Sequence, residues 1–221
     1  EKQLFPIVKL DEENDLNTFL AYNLDRDEYH HYSYLHSSLL SVADKEIKKN
    51  NRRRTMLKEH FRCHPNIIGF SDRVFYDNAL RIKTTDEGNA GIKWINHTND
   101  CKPKWKNPNE VNIALECITQ YIDGGKYEPH QIGLVTPFRE QANLLTNQIA
   151  RRFGQQVGNS ILADTAHKFQ GDERELMIFS LVVGPSMRSG TYAWIQEGKS
   201  KNLINVSVTR ARKELIIIGN E

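Results

Sequence analysis

Long apolar runs are missing from this sequence. No stretch approaches the roughly 20 apolar residues of a membrane-spanning helix, and the longest run, residues 215–218, is strand-sized. A membrane partner is therefore not expected. Cysteine is scarce: Cys63, Cys101 and Cys117 are odd in number and lack paired spacing. That argues against a disulfide framework and for a reducing, cytoplasmic setting. No C-x-x-C clamp exists, so no metal site is assigned. Runs of glycine, proline or serine are also absent. With 38% hydrophobic and 26% charged residues, the chain reads as an ordinary folded soluble protein. No signal peptide is expected, since the chain opens on charged Glu1-Lys2-Gln3. It also lacks an initiator Met, which suggests a piece of something longer.

An excess of one charge is missing too. Lys+Arg total 30 against 28 Asp+Glu, a net +2. The distribution is uneven, however. Lys48, Lys49, Arg52, Arg53, Arg54 and Lys58 crowd one segment, and Arg210, Arg212 and Lys213 another. For the first cluster, a solvated helix face and contact with phosphates are equally open.

The 221 residues suffice for one large domain, or one with an appendage, and for a sizeable core. Apolar spacing near the helical period predicts helices over 33–49, 64–76, 109–122, 141–153 and 201–212. Pro65 sits at a helix start, where a missing N–H costs little. Short apolar strands are predicted at 92–95, 132–135, 161–163, 176–183 and 215–218. This alternation implies crossover units and an α/β fold: a mostly parallel central sheet with helices on both faces. In such sheets, function sits at the carboxyl ends of strands.

Three polar clusters adjoin these strands. Thr136-Pro137-Phe138-Arg139 follows one, and the segment from Asp164 to Glu173 follows another. Asn205 to Arg212 precedes the last. Each is expected to place hydroxyls, amides and cations at one edge of the sheet, where backbone N–H groups and hydroxyls bind phosphate. Arginines there could neutralise charge on a transferring phosphoryl group. Singly, each has a plainer reading: Thr-Pro as a turn, Arg210 and Arg212 as cations at a helix C-terminus.

Taken together, the clusters resemble the motifs of superfamily 1B helicases, in the branch containing the nonsense-mediated-decay helicase. Glu59 to Ile67 (E-H-F-R-C-H-P-N-I) is similar to the Q-Y-R-M-H-P-x-I motif. Thr136-Pro137-Phe138 with Gln141 is similar to T-P-Y-x-x-Q. Asp164-Thr165 through Phe169-Gln170-Gly171-Asp172-Glu173 looks like V-D-T-x-x-x-F-Q-G-x-E, and Asn205 to Arg212 like N-V-A-L-T-R-A-K/R. Lys2 to Pro6 resembles the tail of G-D-x-x-Q-L-x-P. His60-Phe61 stands where the family has Gln-Tyr, Cys63 where it has Met, and Lys201-Asn202 where it has Arg-Arg.

This resemblance implies a RecA-like three-layer fold. It also implies a division of the chain: residues 1–55 as the end of a first motor domain with a helical connector, and residues 56–221 as a second motor domain. It implies roles as well. Gln3 would sense the γ-phosphate of ATP. Arg62 and Arg210 would stabilise transition-state charge, Arg210 as an arginine finger. Phe61 would stack near the base, with Gly171 and Glu173 orienting the nucleotide or its partners. Thr136, Pro137, Thr165, His167 and Lys168 would hold single-stranded DNA or RNA. ATP and Mg2+ would be held mainly by the first motor domain of the same parent chain.

A G-x-x-x-x-G-K-[ST] phosphate loop is missing. Gly124-Gly125-Lys126 imitates it briefly, but Gln120 occupies the first glycine position and Tyr127 follows the lysine. The segment reads as a helix-ending turn. The chain alone is expected to be inactive in ATP hydrolysis and unwinding. The alternative is a non-catalytic nucleic-acid-binding module. A nuclease is discounted, because Asp172-Glu173-Arg174-Glu175 lacks the spacing of a metal-binding carboxylate set.

Overall fold

The computed structural model describes residues 11–23, 25, 28–33, 35–50, 52–53, 55–86, 88, 91–98, 105–169, 171–184 and 201–220. The chain divides into two compact units, Phe5–Leu57 and Lys58–Glu221.

The smaller unit contains α1 (Glu12–Ala21), α2 (Tyr29–Tyr32) and α3 (Leu39–Lys49). Helix α1 starts where the Asp11 carboxylate accepts the Glu13 N–H, with three acidic residues in its first turn. Tyr29 is buried, donates to Asp15 at 3.1 Å and packs edge-on to Phe19. Helix α3 begins six residues later than the apolar spacing predicts, because Ser38 and Ser41 cap each other's backbone N–H groups. It has no buried residue, and Lys48 pairs with Asp44 one turn back at 2.7 Å. Lys48 and Lys49 thus lie on a solvated helix face.

The larger unit contains β1 (Glu59–His60), α4 (Pro65–Phe75), β2 (Arg81–Ile82), β3 (Ile92–Asn96), α5 (Pro108–Asp123), β4 (Ile132–Thr136), α6 (Arg139–Ser160), β5 (Leu162–Thr165), β6 (Arg174–Ser180), α7 (Lys201–Val208) and β7 (Ala211–Gly219). Strands β1 and β2 form a small parallel pair. The other five form one parallel sheet in the order β3-β7-β6-β4-β5.

Helices cover both faces, and β6 shows how. Leu176 and Ile178 point into a core with Val111 and Ile118 of α5 and Leu145 and Ile149 of α6. Met177 and Phe179 point the other way, into a core with Ile67 and Ile68 of α4 and Leu203 and Val206 of α7. A strand buried on both faces reads as a continuous apolar run, as 176–179 does. The expected three-layer α/β architecture is therefore present.

Local chemistry sets the helix ends. His64 caps α4 through Nδ1, with Pro65 in the first turn. Asn107 caps α5 by accepting from the Asn109 and Glu110 N–H groups. Helix α5 ends at Asp123, and Gly125 turns the chain with φ 64; Gly124-Gly125-Lys126 is the helix-ending turn that the sequence suggests. Helix α6 runs on to Ser160 but is kinked at Gly154.

Other boundaries also differ from the sequence expectation. Helix α7 stops at Val208, not at 212. The Thr209 hydroxyl and the Arg210 Nε donate to the Asn205 and Val206 carbonyls and terminate the helix. Ala211 then pairs with Arg174, so Arg212 lies on a strand. Strand β6 ends at Ser180 and does not extend to 183. Val182 enters the left-handed region at φ 63, and its N–H turns to the Glu110 carboxylate.

Candidate functional site

A parallel sheet has two chemically different edges. Strand-to-helix turns lie at the carboxyl edge and helix-to-strand turns at the amino edge. Thr136 and Thr165 end neighbouring strands in register, so their segments share the carboxyl edge. Arg210 belongs to the turn from α7 into β7, and Glu173 immediately precedes β6. Both therefore lie at the amino edge. The expectation that all three clusters share one edge is corrected here. Ala166 follows the carboxyl end of β5 and Glu173 precedes the amino end of β6, and the seven residues of β6 separate the two edges by about 20 Å.

Arginines gather at the amino edge. Arg62 Nε lies 2.6 Å from Glu173 Oε2, and Arg212 Nε lies 3.9 Å from Glu173 Oε1. Arg212 Nη1 and Lys213 Nζ also pair with Glu175, at 2.9 and 3.3 Å. Arg210 donates Nε to the Val206 carbonyl and Nη1 to those of Phe169 and Asp172. Burial and the neighbouring Arg62 lower its pKa, though a guanidinium stays cationic at neutral pH. Among the described residues, these bonds leave Nη2 as the end of the side chain that could meet a ligand.

Long-range bonds tie the Arg62 turn to this edge. The His64 N–H donates to the Arg212 carbonyl at 2.7 Å, and the Thr84 hydroxyl to the Cys63 carbonyl at 2.7 Å. His60 Nε2 accepts the Cys63 N–H at 2.9 Å, so that nitrogen carries no proton. Burial, reinforced by Arg62, lowers the His60 pKa in keeping with this. The substituted His60 is thus a backbone acceptor that shapes the turn. Buried Cys63 donates its thiol to the Thr209 carbonyl, and burial pushes its pKa up to about 12.

Phe61 stands free of this packing, 69% exposed. It borders two shallow clefts. One, of 230 Å³, is lined by Arg62, Lys83, Arg212, Lys213, Thr84 and Glu175 among others. The second, of 400 Å³, includes Glu59, His60, Arg62, Glu173 and Arg212. Cations outnumber anions in the first, which suits an anionic ligand. Gly171 takes φ 93 in the loop entering β6, a conformation that favours glycine.

At the carboxyl edge, Thr136 is wholly buried and its hydroxyl accepts from the Phe138 N–H. Pro137 is buried as well. Thr165 is buried, accepting from Arg139 Nη2 at 3.2 Å and donating to Asp164 at 3.3 Å. As placed, these groups brace the edge from beneath. Lys168 is exposed and His167 half-buried; burial and Arg139 lower the His167 pKa and favour the neutral ring. Nearer the amino end of β4, Gly133 leaves room for its neighbours: a Cβ there would come within 2.6 Å of the Met177 sulfur and 3.2 Å of the Phe169 ring.

The structure therefore brings together Arg62, Phe61, Gly171, Glu173 and Arg210, and separately Thr136, Pro137, Thr165, His167 and Lys168. Gln3 lies outside the described residues. Sequence reasoning did not assign Arg212, Glu175 and Lys213 at the amino edge, or Arg139 and Asp164 at the other. Arg139 directly follows the Thr-Pro-Phe segment, and the Arg212–Lys213 pair follows Arg210; adjacency to a motif was the available signal.

Among the described residues no helix is long and apolar enough to cross a membrane. Residues 35–221 match a family model described as an AAA domain, AAA_12. The chain is similar to helicase sen1 of Schizosaccharomyces pombe, 26% identical over 196 residues, covering 79% of this chain and 11% of that protein. It is also similar to regulator of nonsense transcripts 1 of Dictyostelium discoideum, 27% identical over 179 residues, covering 72% and 13%. A third relative is the putative helicase mov-10-B.1 of Danio rerio, 25% identical over 205 residues, covering 77% and 20%. The chain thus spans a fifth or less of these relatives.

Proposed function

Because the chain belongs to the AAA_12 family of AAA domains, we propose that it is the second motor domain of an ATP-dependent superfamily 1 helicase. One observation carries this reading: Arg62, Arg210 and Arg212 converge around Glu173 beside the exposed ring of Phe61. Arginine donates bidentately to phosphoryl oxygens, and an exposed aromatic face suits a base. A domain that merely docked nucleic acid at its other edge would not need this group.

These residues fit part of a nucleotide site. They supply positive charge and a stacking surface, but the sequence has no phosphate-cradling loop. Among the described residues no group of His, Cys, Asp or Glu is placed to hold a metal ion. ATP and Mg2+ would accordingly be held mainly by a first motor domain in the parent protein, and this chain would complete the site. Arg210 acts as the arginine finger through Nη2. Arg62 neutralises charge beside it. Glu173 positions Arg62, Gly171 shapes the loop, and Phe61 stacks on the base. The role of Gln3, sensing the γ-phosphate, carries over from the family resemblance alone.

At the carboxyl edge a single strand of DNA or RNA would meet Lys168, His167 and Arg139, supported from below by Thr136, Pro137 and Thr165. Closure on ATP and reopening after hydrolysis would move two such grips along the strand. The buried thiols of Cys63 and Cys117 suit a cytosolic parent.

The test is ATP hydrolysis by the full-length parent carrying Arg210→Ala. Turnover should fall by roughly 10³-fold with near-normal ATP affinity; unchanged turnover overturns the reading. The second reading, a non-catalytic nucleic-acid-binding module, is favoured by the engagement of Arg210 with three backbone carbonyls. A parent that binds nucleic acid without hydrolysing ATP would establish it.

A further inference from the structure

We propose that Trp105, stacked on Phe138, is a platform for a base of single-stranded nucleic acid at the carboxyl edge of the sheet. This rests on the nucleic-acid reading above and adds to it a residue on which a base is seated.

The two rings lie 5.6 Å apart, 14° from parallel. Phe138 is the buried partner, held between the end of β4 and the start of α6. Trp105 is the outer ring, 38% exposed. Its position is fixed from behind: two residues on, the Asn107 N–H donates to Gln141 Oε1 at 2.9 Å, and Gln141 Nε2 donates to the Asn107 carbonyl at 3.2 Å. Trp105 itself has φ 53, which a bulky residue adopts only when its surroundings impose it. The outcome is a large flat ring held part-exposed on a rigid base.

The charges beside it select the ligand. Arg139 follows Phe138 directly, and it shares the Asp164 carboxylate with Lys168, at 2.5 and 3.3 Å. Two cations on one carboxylate leave surplus positive charge, and both side chains are more than half exposed, at 52% and 66%. An exposed ring beside surplus cations is the chemistry that holds a single strand: the ring meets the π-face of any base and the cations meet phosphates. Stacking is indifferent to the 2′-hydroxyl, so DNA and RNA should both serve.

The experiment uses the full chain with Trp94 and Trp194 replaced by Phe, so that Trp105 alone emits. It is titrated with oligo(dT) and oligo(U) of about 15 nucleotides. Binding should quench Trp105 emission with either strand. Trp105→Ala should weaken both affinities by about 5- to 100-fold without altering the salt slope, which counts phosphate contacts. Trp105→Phe should retain most of the affinity. A wholly abasic strand should bind the wild type and Trp105→Ala equally.

Binding without quenching, and unaffected by Trp105→Ala, overturns the platform while leaving the nucleic-acid reading intact. An equal loss on the abasic strand would mean that Trp105 only supports the fold, and also overturns it. Failure of the folded chain to bind any strand removes both, as would binding of a protein partner at this edge in place of nucleic acid.

Discussion

Arg62 and Glu173 meet at 2.6 Å across the entrance to the amino edge of the sheet, with both side chains about two-fifths exposed. An ion pair this accessible contributes only about 0.2–1 kcal/mol to stability. Its consequence is orientation: Glu173 also lies within 3.9 Å of Arg212, and so governs where two guanidinium groups point.

Glu173→Ala should therefore cost less than about 1 kcal/mol of unfolding free energy yet lower ATP turnover of the parent protein. Chemical denaturation and steady-state hydrolysis on the same variant check this. A large stability loss with normal turnover would assign Glu173 to the fold.

A different carboxylate serves the fold. Glu110 is fully buried in α5 and accepts the Val182 N–H at 3.0 Å with each oxygen. It also accepts the Ser180 hydroxyl at 2.6 Å and contacts His97 Nε2 at 3.0 Å. Val182 is β-branched and held at φ 63, a conformation stable only when imposed. Glu110→Ala strands these donors and releases the turn, so unfolding should become easier by roughly 3 kcal/mol. Urea denaturation should show a lower midpoint with an unchanged slope.

Glu214 should give the chain a defined acid limb. It is buried in β7 and accepts from Tyr121 at 2.8 Å, Tyr127 at 3.0 Å and Lys126. Burial alone would raise its pKa, but the three hydrogen bonds outweigh it and hold the carboxyl below its ordinary value of 4.5. A depressed folded-state pKa contributes stability that is fully present above the ordinary value and is lost as pH falls below it through the folded-state value. Glu214→Gln should cost about 1–3 kcal/mol at neutral pH, and the gap to wild type should narrow below pH 4.5. Thermal unfolding across that range tests the sign: a gap that widens in acid would be the opposite result.

The thiols should be inert while the chain is folded. Cys63 is fully buried with its pKa pushed up to about 12 by burial, and burial also raises that of Cys117. Reactivity follows the thiolate. In a Cys101→Ser variant, a disulfide reagent at neutral pH should label neither thiol until denaturant is added, and then both. Rapid labelling of the native chain would mean that the segment around Arg62 opens readily.

Much of this protein could be read along the chain. The apolar runs at 132–135 and 176–179 and the spacing of 109–122 specified strands and helices, because the period records which faces are buried. Pro65 marked a helix start and Gly125 a helix-ending turn, because both act through their own backbone conformation or neighbours. The site residues Arg62, Glu173 and Arg210 were visible as types within motifs.

Tertiary structure decided where those residues went. Sequence order alone does not say that Arg210 arrives from a helix into a strand. The reach of α7 is settled by Thr209 and Arg210 side chains bonding its last carbonyls, and the edge by the β3-β7-β6-β4-β5 order. Likewise Thr136 and Thr165 read as surface hydroxyls but are buried, because Phe138, Arg139 and Asp164 close over the strand ends. Periodicity encodes the facing of a residue; its neighbours come from packing between elements far apart in the chain, and the pairings of Arg62 with Glu173 and Trp105 with Phe138 exist only there.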